Sequence, residues 1–146
     1  CTEAAAYSVG VSEEEVKLAR LLGEYIGICF QIKDDIFDYF DSKEIGKPTG
    51  NDMLEGKLTL PVLYALNRAN DNQAAEIALK VKEGTATLAE IARLIAFTKE
   101  NGGIEYAVRT MNAYKQKAFG LLASLPDSAI CVALRSYLDY VVDREK

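Results

Sequence analysis

The chain has 146 residues, 49% apolar and 27% charged, enough for one compact domain with a real core. Its net charge of −5 comes without any block of Lys or Arg, which argues against a nucleic-acid surface and against docking on anionic lipid. It contains no histidine, which removes Ser–His and Cys–His catalysis and makes a zinc site a poor fit. No run of roughly 18 or more apolar residues occurs, so no transmembrane segment is expected. Cys1, Cys29 and Cys131 are far apart and lack metal spacing. They read as core thiols of a reducing compartment, and a cytoplasmic location is expected.

The chain opens on Cys1. A mature lipoprotein also begins with Cys, but a flexible linker normally follows. Here "TEAAAYSV" follows, which reads as the tail of a helix ended by Gly10. The sequence is therefore expected to be a piece of a longer protein. Ser12 and Glu15 form a capping box that opens a second helix over about 13–40. Its apolar residues spread around most of the cylinder, as in a central helix surrounded by others. Residues 41–57 read as a polar loop, unusually long for a compact domain. A third helix is predicted over 58–69, with Pro61 in its first turn, and a fourth over 70–83. Thr87 and Glu90 make another capping box, for a helix ending at Asn101-Gly102-Gly103. Helices over 104–123 and from past Pro126 to about 143 complete an all-α chain. No strand alternation, repeat or domain boundary is visible, so 1–146 is expected to be a single all-helical domain.

The chemistry concentrates in "GICFQIKDDIFDYF", residues 27–40. Asp34 and Asp38 stand at i and i+4 on one face, and Asp35 is three residues from Asp38. Carboxylates at this spacing repel, and an unpaired buried one is costly. Lys33 projects about 100° away, a poor neutraliser. A hard divalent cation such as Mg²⁺ suits better, since it takes carboxylate oxygens and substrate phosphates. An EF-hand is excluded: counting from Asp38, the third position is Phe40 and the sixth is Lys43. The bland alternative is an acidic helix end on a surface. The next stretch, "GKPTGNDMLEGKLTLP", adds Lys47 and Lys57, with Gly46 and Gly50 to let the backbone turn near a ligand. Lysines beside metal-binding carboxylates point to a shared anion such as a diphosphate. Taken singly, they read as solvated loop charges.

Together, Gly27, Phe30, Gln31, Asp34, Asp35, Asp38, Gly46, Lys47, Gly50, Asp52, Glu55, Gly56, Lys57, Thr59, Leu60 and Pro61 resemble the second aspartate-rich region of the trans-isoprenyl diphosphate synthases, the polyprenyl synthetase family. The tail "ALRSYLDYVVDREK" and the start "CTEAAAYSVGVSEE" resemble the same family. The resemblance implies the all-α isoprenoid synthase fold, of which this chain would be the C-terminal part. It implies condensation of isopentenyl diphosphate with an allylic diphosphate through Mg²⁺-assisted diphosphate departure. By position, Asp34, and less directly Asp35 and Asp38, would ligate Mg²⁺. Lys47 would contact the allylic diphosphate. Phe30 and Gln31 would border the isopentenyl diphosphate site, and Lys57 would help bind or order the same region.

The family's first aspartate-rich motif, its Lys-Thr-Ala motif and its basic isopentenyl-diphosphate residues are missing from this sequence. The chain alone is therefore expected to be inactive, and to self-associate through apolar surface that upstream helices would cover. Two rivals remain. A terpene cyclase shares the metal chemistry, but its second metal motif normally mixes Asn, Ser/Thr and Glu. A non-catalytic helical partner subunit of a heteromeric synthase could keep the fold without the activity.

Overall fold

The computed structural model describes residues 1–40, 49–125 and 129–144. Within them the chain forms eight helices and no strand: α1 (Thr2–Ser8), α2 (Glu13–Phe37), α3 (Asn51–Leu54), α4 (Leu60–Ala69), α5 (Asn72–Glu83), α6 (Leu88–Glu100), α7 (Gly103–Ala123) and α8 (Ala129–Asp143). The expected all-α class holds. So do both capping boxes. Ser12 N–H donates to Glu15 Oε2 at 2.9 Å, and Glu15 N–H to Ser12 Oγ at 3.3 Å. Thr87 and Glu90 repeat the exchange at the start of α6. Each box satisfies orphan donors of a first helical turn using only neighbours in sequence.

Two departures matter. α2 stops at Phe37, because its end tightens into i→i+3 bonds, Tyr39 N–H to Ile36 O and Phe40 N–H to Phe37 O, both 3.1 Å. And the region read as loop from 41 to 57 contains α3, a single helical turn.

Contacts divide the chain into two compact units. The first comprises 1–33 and 110–145: α1, most of α2, most of α7, and α8. Its interior includes Leu22, Cys29, Ala118, Leu122 and Leu138. The Cys29 thiol donates to Met111 O at 3.5 Å, and the Tyr25 and Tyr114 rings pack tilted, 5.6 Å apart. Phe30, expected under cover on a central helix, is 39% exposed. Much of the apolar surface of α2 is only half-buried by the residues described.

The second unit, residues 34–109, holds the end of α2, then α3 to α6 and the start of α7. Its α6 packs against α4 and α5, around Val62, Ile77, Val81, Ile91 and Leu94. Tyr39 and Met53 join this core, so the segments on either side of residues 41–48 are anchored in it. Two glycines allow close approaches. Gly50 has φ +81°, and a Cβ there would lie 2.8 Å from Ile91 Cγ2. At Gly103, a Cβ would lie 2.5 Å from Pro61 O and 2.7 Å from the buried Thr98 Cγ2.

Gly103→Ala therefore forces α7 and α4 apart or strains both. Expected is a loss of about 1–3 kcal/mol in unfolding free energy, checked by denaturant titration. An unchanged midpoint would mean that the approach of the two helices is looser than described.

Candidate active-site wall at the end of α2

Asp34 and Asp35 occupy the last turn of α2, and Asp38 follows immediately. The C-terminal end of a helix carries partial negative charge, and cations are the side chains it favours. The last turn of α2 contains none. Asp35 is 7% exposed, Asp34 and Asp38 half-buried. The sequence thus concentrates carboxylates where the local field is least hospitable.

Part of this charge is met by backbone. Asp38 Oδ1 accepts Asn51 N–H at 2.9 Å, and Oδ2 accepts Asp52 N–H at 3.1 Å. The Asp38 carbonyl accepts Gly50 N–H at 2.9 Å. These three bonds start α3. Gly50, in the left-handed region, supplies no capping side chain, so the cap comes from a residue thirteen positions upstream. That is why α3 escapes local reading. A sequence scan looks for Ser, Thr, Asp or Asn directly before the turn.

Asp52 is drawn into the same cluster. Burial raises its carboxyl above the usual range; repulsion from Asp38 and Asp35 adds to this, and Lys57 opposes it. Tyr39 lies beside them. Burial pushes its phenol up to about 12, against the opposing hydrogen bond of the Thr59 hydroxyl, whose oxygen is 3.5 Å away. Lys57 is exposed and pairs with Glu55 at 2.6 Å, while its N–H donates to Asp52 O at 2.7 Å. Lys99 places its ammonium 4.6 Å from the centre of the Phe40 ring. Of these, Asp52 stood in the motif without an assigned role. Lys99 gave no signal, being 59 positions from its partner.

Phe30 and Gln31 belong to the first unit. The Phe30 ring lies under the Arg144 guanidinium, 4.2 Å from its carbon, an attraction of positive charge to the ring face. Phe30 also lines, with Ile26, Leu134 and Tyr137, an open cleft of about 670 Å³. Lys47 lies outside the described residues.

The donors at the end of α2 are all hard oxygens, the class that Mg²⁺ and Ca²⁺ take. Among the described residues, no three His, Cys, Asp or Glu side chains gather closely enough to hold an ion unaided. Donors of this class suit a cation that takes its remaining oxygens from a phosphate group. No helix of the described residues is long and apolar enough to cross a membrane.

Two outcomes follow. The folded-state pKa of Asp52 lies above its ordinary value, so its ionised form costs stability above that value and not below it. Asp52→Asn should raise the melting temperature at pH 7, with the gain gone below about pH 4. For Tyr39 the shift is also upward, so its contribution is complete below pH 10 and lost as pH rises toward 12. Absorbance titration of the eight tyrosines should show one late phenol, absent in Tyr39→Phe.

Comparison with known proteins identifies the family. The profile of the polyprenyl synthetase family matches residues 1–98. Octaprenyl diphosphate synthase of Haemophilus influenzae is 36% identical over 143 residues, covering 97% of this chain and 43% of that protein. Component 2 of the heptaprenyl diphosphate synthase of Geobacillus stearothermophilus is 36% identical over 141 residues, covering 96% and 43%. Among solved structures, geranylgeranyl pyrophosphate synthase from Bacteroides thetaiotaomicron superposes with a TM-score of 0.94 at 77% identity, over 99% of this chain and 48% of that one. The polyprenyl synthase of Caulobacter crescentus, complexed with calcium and isoprenyl diphosphate, gives 0.81 at 32% identity, over 97% and 44%. The chain thus spans a little under half the length of these relatives. With two-thirds of its length matching the family profile and the carboxylate-bearing end of α2 inside that match, the chain belongs to the polyprenyl synthetase family.

Proposed function

We propose that this chain is the C-terminal part of the catalytic domain of a trans-polyprenyl diphosphate synthase and supplies one wall of its active site. The reaction joins isopentenyl diphosphate to an allylic diphosphate, releases diphosphate and lengthens the chain. The observation that carries the proposal is the gathering of Asp34, Asp35 and Asp38 at the negative end of α2, in a member of this family. The calcium and isoprenyl diphosphate named for the Caulobacter relative support assigning the carboxylate wall, Asp34 first, to a divalent cation, Mg²⁺ in this proposal.

Asp34 leads the triplet and is assigned as metal ligand. Asp35, buried beside it, adds negative charge that strengthens cation binding. When bound, the metal would neutralise the charge that builds on the departing diphosphate. Lys47 and Lys57 bind diphosphate oxygens as point charges. Lys57 pairs its ammonium with Glu55, an exposed pair that is cheap to exchange for a diphosphate. Phe30 and Gln31 border the isopentenyl diphosphate, and apolar side chains keep water from the allylic cation. No protein nucleophile is needed. The protein acts in the cytoplasm as a homo-oligomer, for which exposed Ile130 and Tyr140 offer apolar surface.

A second reading is favoured by the likeness to component 2 of a heptaprenyl synthase. On it, the protein works only with a second, different polypeptide. Turnover by the purified protein alone excludes this reading.

The test of the first reading is Asp34→Ala in the full-length protein. Turnover at saturating substrate should fall about 10²-fold or more, the cost of losing one preorganised electrostatic group. Mg²⁺ with diphosphate should raise the melting temperature of the wild type more than that of the variant. Lys43→Ala, outside the matched motif, should change little. Wild-type turnover in Asp34→Ala would overturn the assignment.

A further inference from the structure

The end of α2 carries three carboxylates, yet the fold does not use them alike. Asp38 commits both side-chain oxygens to backbone N–H groups, those of Asn51 and Asp52, and its own carbonyl to Gly50 N–H. A carboxylate with each oxygen bonded to a fixed amide has its orientation set by those amides. The segment it holds has little else to order it. α3 is four residues long, far below the length at which a helix sustains itself. Its other anchors are Met53, 3% exposed in the core, and Gly50, pressed against Ile91 and Ile95 with no room for a Cβ. From Asp52 the order passes on. Its carbonyl accepts the N–H of Lys57 at 2.7 Å, and Gly56, at φ +77°, makes the turn between them.

We infer that Asp38 is a positioning residue, which clamps residues 50–57 to the end of α2 and so places Lys57 for its diphosphate contact, and that it is not itself a metal ligand. Its position in the triplet invites the opposite assignment. The difference is that a ligand must offer oxygen lone pairs and negative charge to a cation, whereas a clamp must offer acceptors to two amides. Asparagine separates the roles. It keeps one of the two acceptors, since its amide nitrogen only donates, and it carries no charge.

The part of this inference that concerns Lys57 rests on the prenyl-transfer proposal; the clamp itself does not. The experiment uses the full-length protein and three variants, Asp38→Ala, Asp38→Asn and Asp34→Asn, followed by amide hydrogen exchange and steady-state kinetics across a Mg²⁺ series. In Asp38→Ala, exchange over residues 50–57 should speed up about tenfold or more, as expected for losing two hydrogen bonds to a marginal element. KM for the allylic diphosphate should rise more than kcat falls, with the half-saturating Mg²⁺ concentration unchanged. Asp38→Asn, with one acceptor left, should fall between wild type and Asp38→Ala in protection and in kcat/KM, with the half-saturating Mg²⁺ concentration unchanged. Asp34→Asn should do the reverse: normal protection, and a raised Mg²⁺ requirement. If Asp38→Asn is as impaired as Asp38→Ala and shares the Mg²⁺ shift of Asp34→Asn, Asp38 is a ligand and the inference fails. It also fails if exchange over 50–57 is the same in Asp38→Ala as in the wild type. Should Asp38→Ala not fold, the asparagine variant decides by the same two readouts. Should the wild type show no prenyl transfer, the proposed function fails, while the exchange arm still decides the clamp.

Discussion

Negative charge piled at the negative end of a long apolar helix is the constraint around which the second unit is arranged. Asp34, Asp35 and Asp38 each add to a field that the helix carbonyls already make unfavourable, by roughly 0.3–1 kcal/mol apiece for exposed charges. The surrounding choices answer it. Backbone N–H groups of Asn51 and Asp52 turn toward Asp38. Lys57 offsets the charge on Asp52. Tyr39, pressed among these acids, stays a neutral phenol far into alkaline pH. A protein selected for stability alone would place Lys or Arg in that last turn.

On the proposed function, the arrangement is a partial site. Enzymes that act on diphosphates need positive charge to arrive with the substrate, and a wall of carboxylates can capture it only if it is held apart beforehand. The cost is carried by the rest of the fold, chiefly the apolar packing of α4, α5 and α6 around Val62, Val81 and Leu94. A cation bound too fully by protein would have no coordination positions left for phosphate oxygens.

What could be read in advance was whatever is local. Both capping boxes, the Pro61 entry into α4 and the Asn101-Gly102 stop rest on residues within a few positions of the feature they specify. The carboxylates at 34, 35 and 38 were legible for the same reason. What was not legible depended on distance along the chain. The cap of α3 comes from another helix, Phe40 meets Lys99, and Gly103 meets Pro61. The breadth of apolar residues on α2 was visible in the sequence, but which of them this chain covers was not. Leu22 and Cys29 are buried, whereas Phe30 stays open to solvent beneath a guanidinium.

The borrowed cap of α3 also dictates an order of events during folding. A four-residue turn cannot nucleate alone, since fixing its dihedrals returns almost no internal hydrogen bonds. It forms only once the end of α2 and the surface of α6 are both in place, and these lie about fifty to sixty positions apart in sequence. Residues 50–57 therefore condense late, after the packing of α4 to α6, and on thermal fluctuation are among the first to open while that packing persists. The lysine-bearing strip beside the carboxylates thus has a separate melting behaviour from the scaffold that carries it.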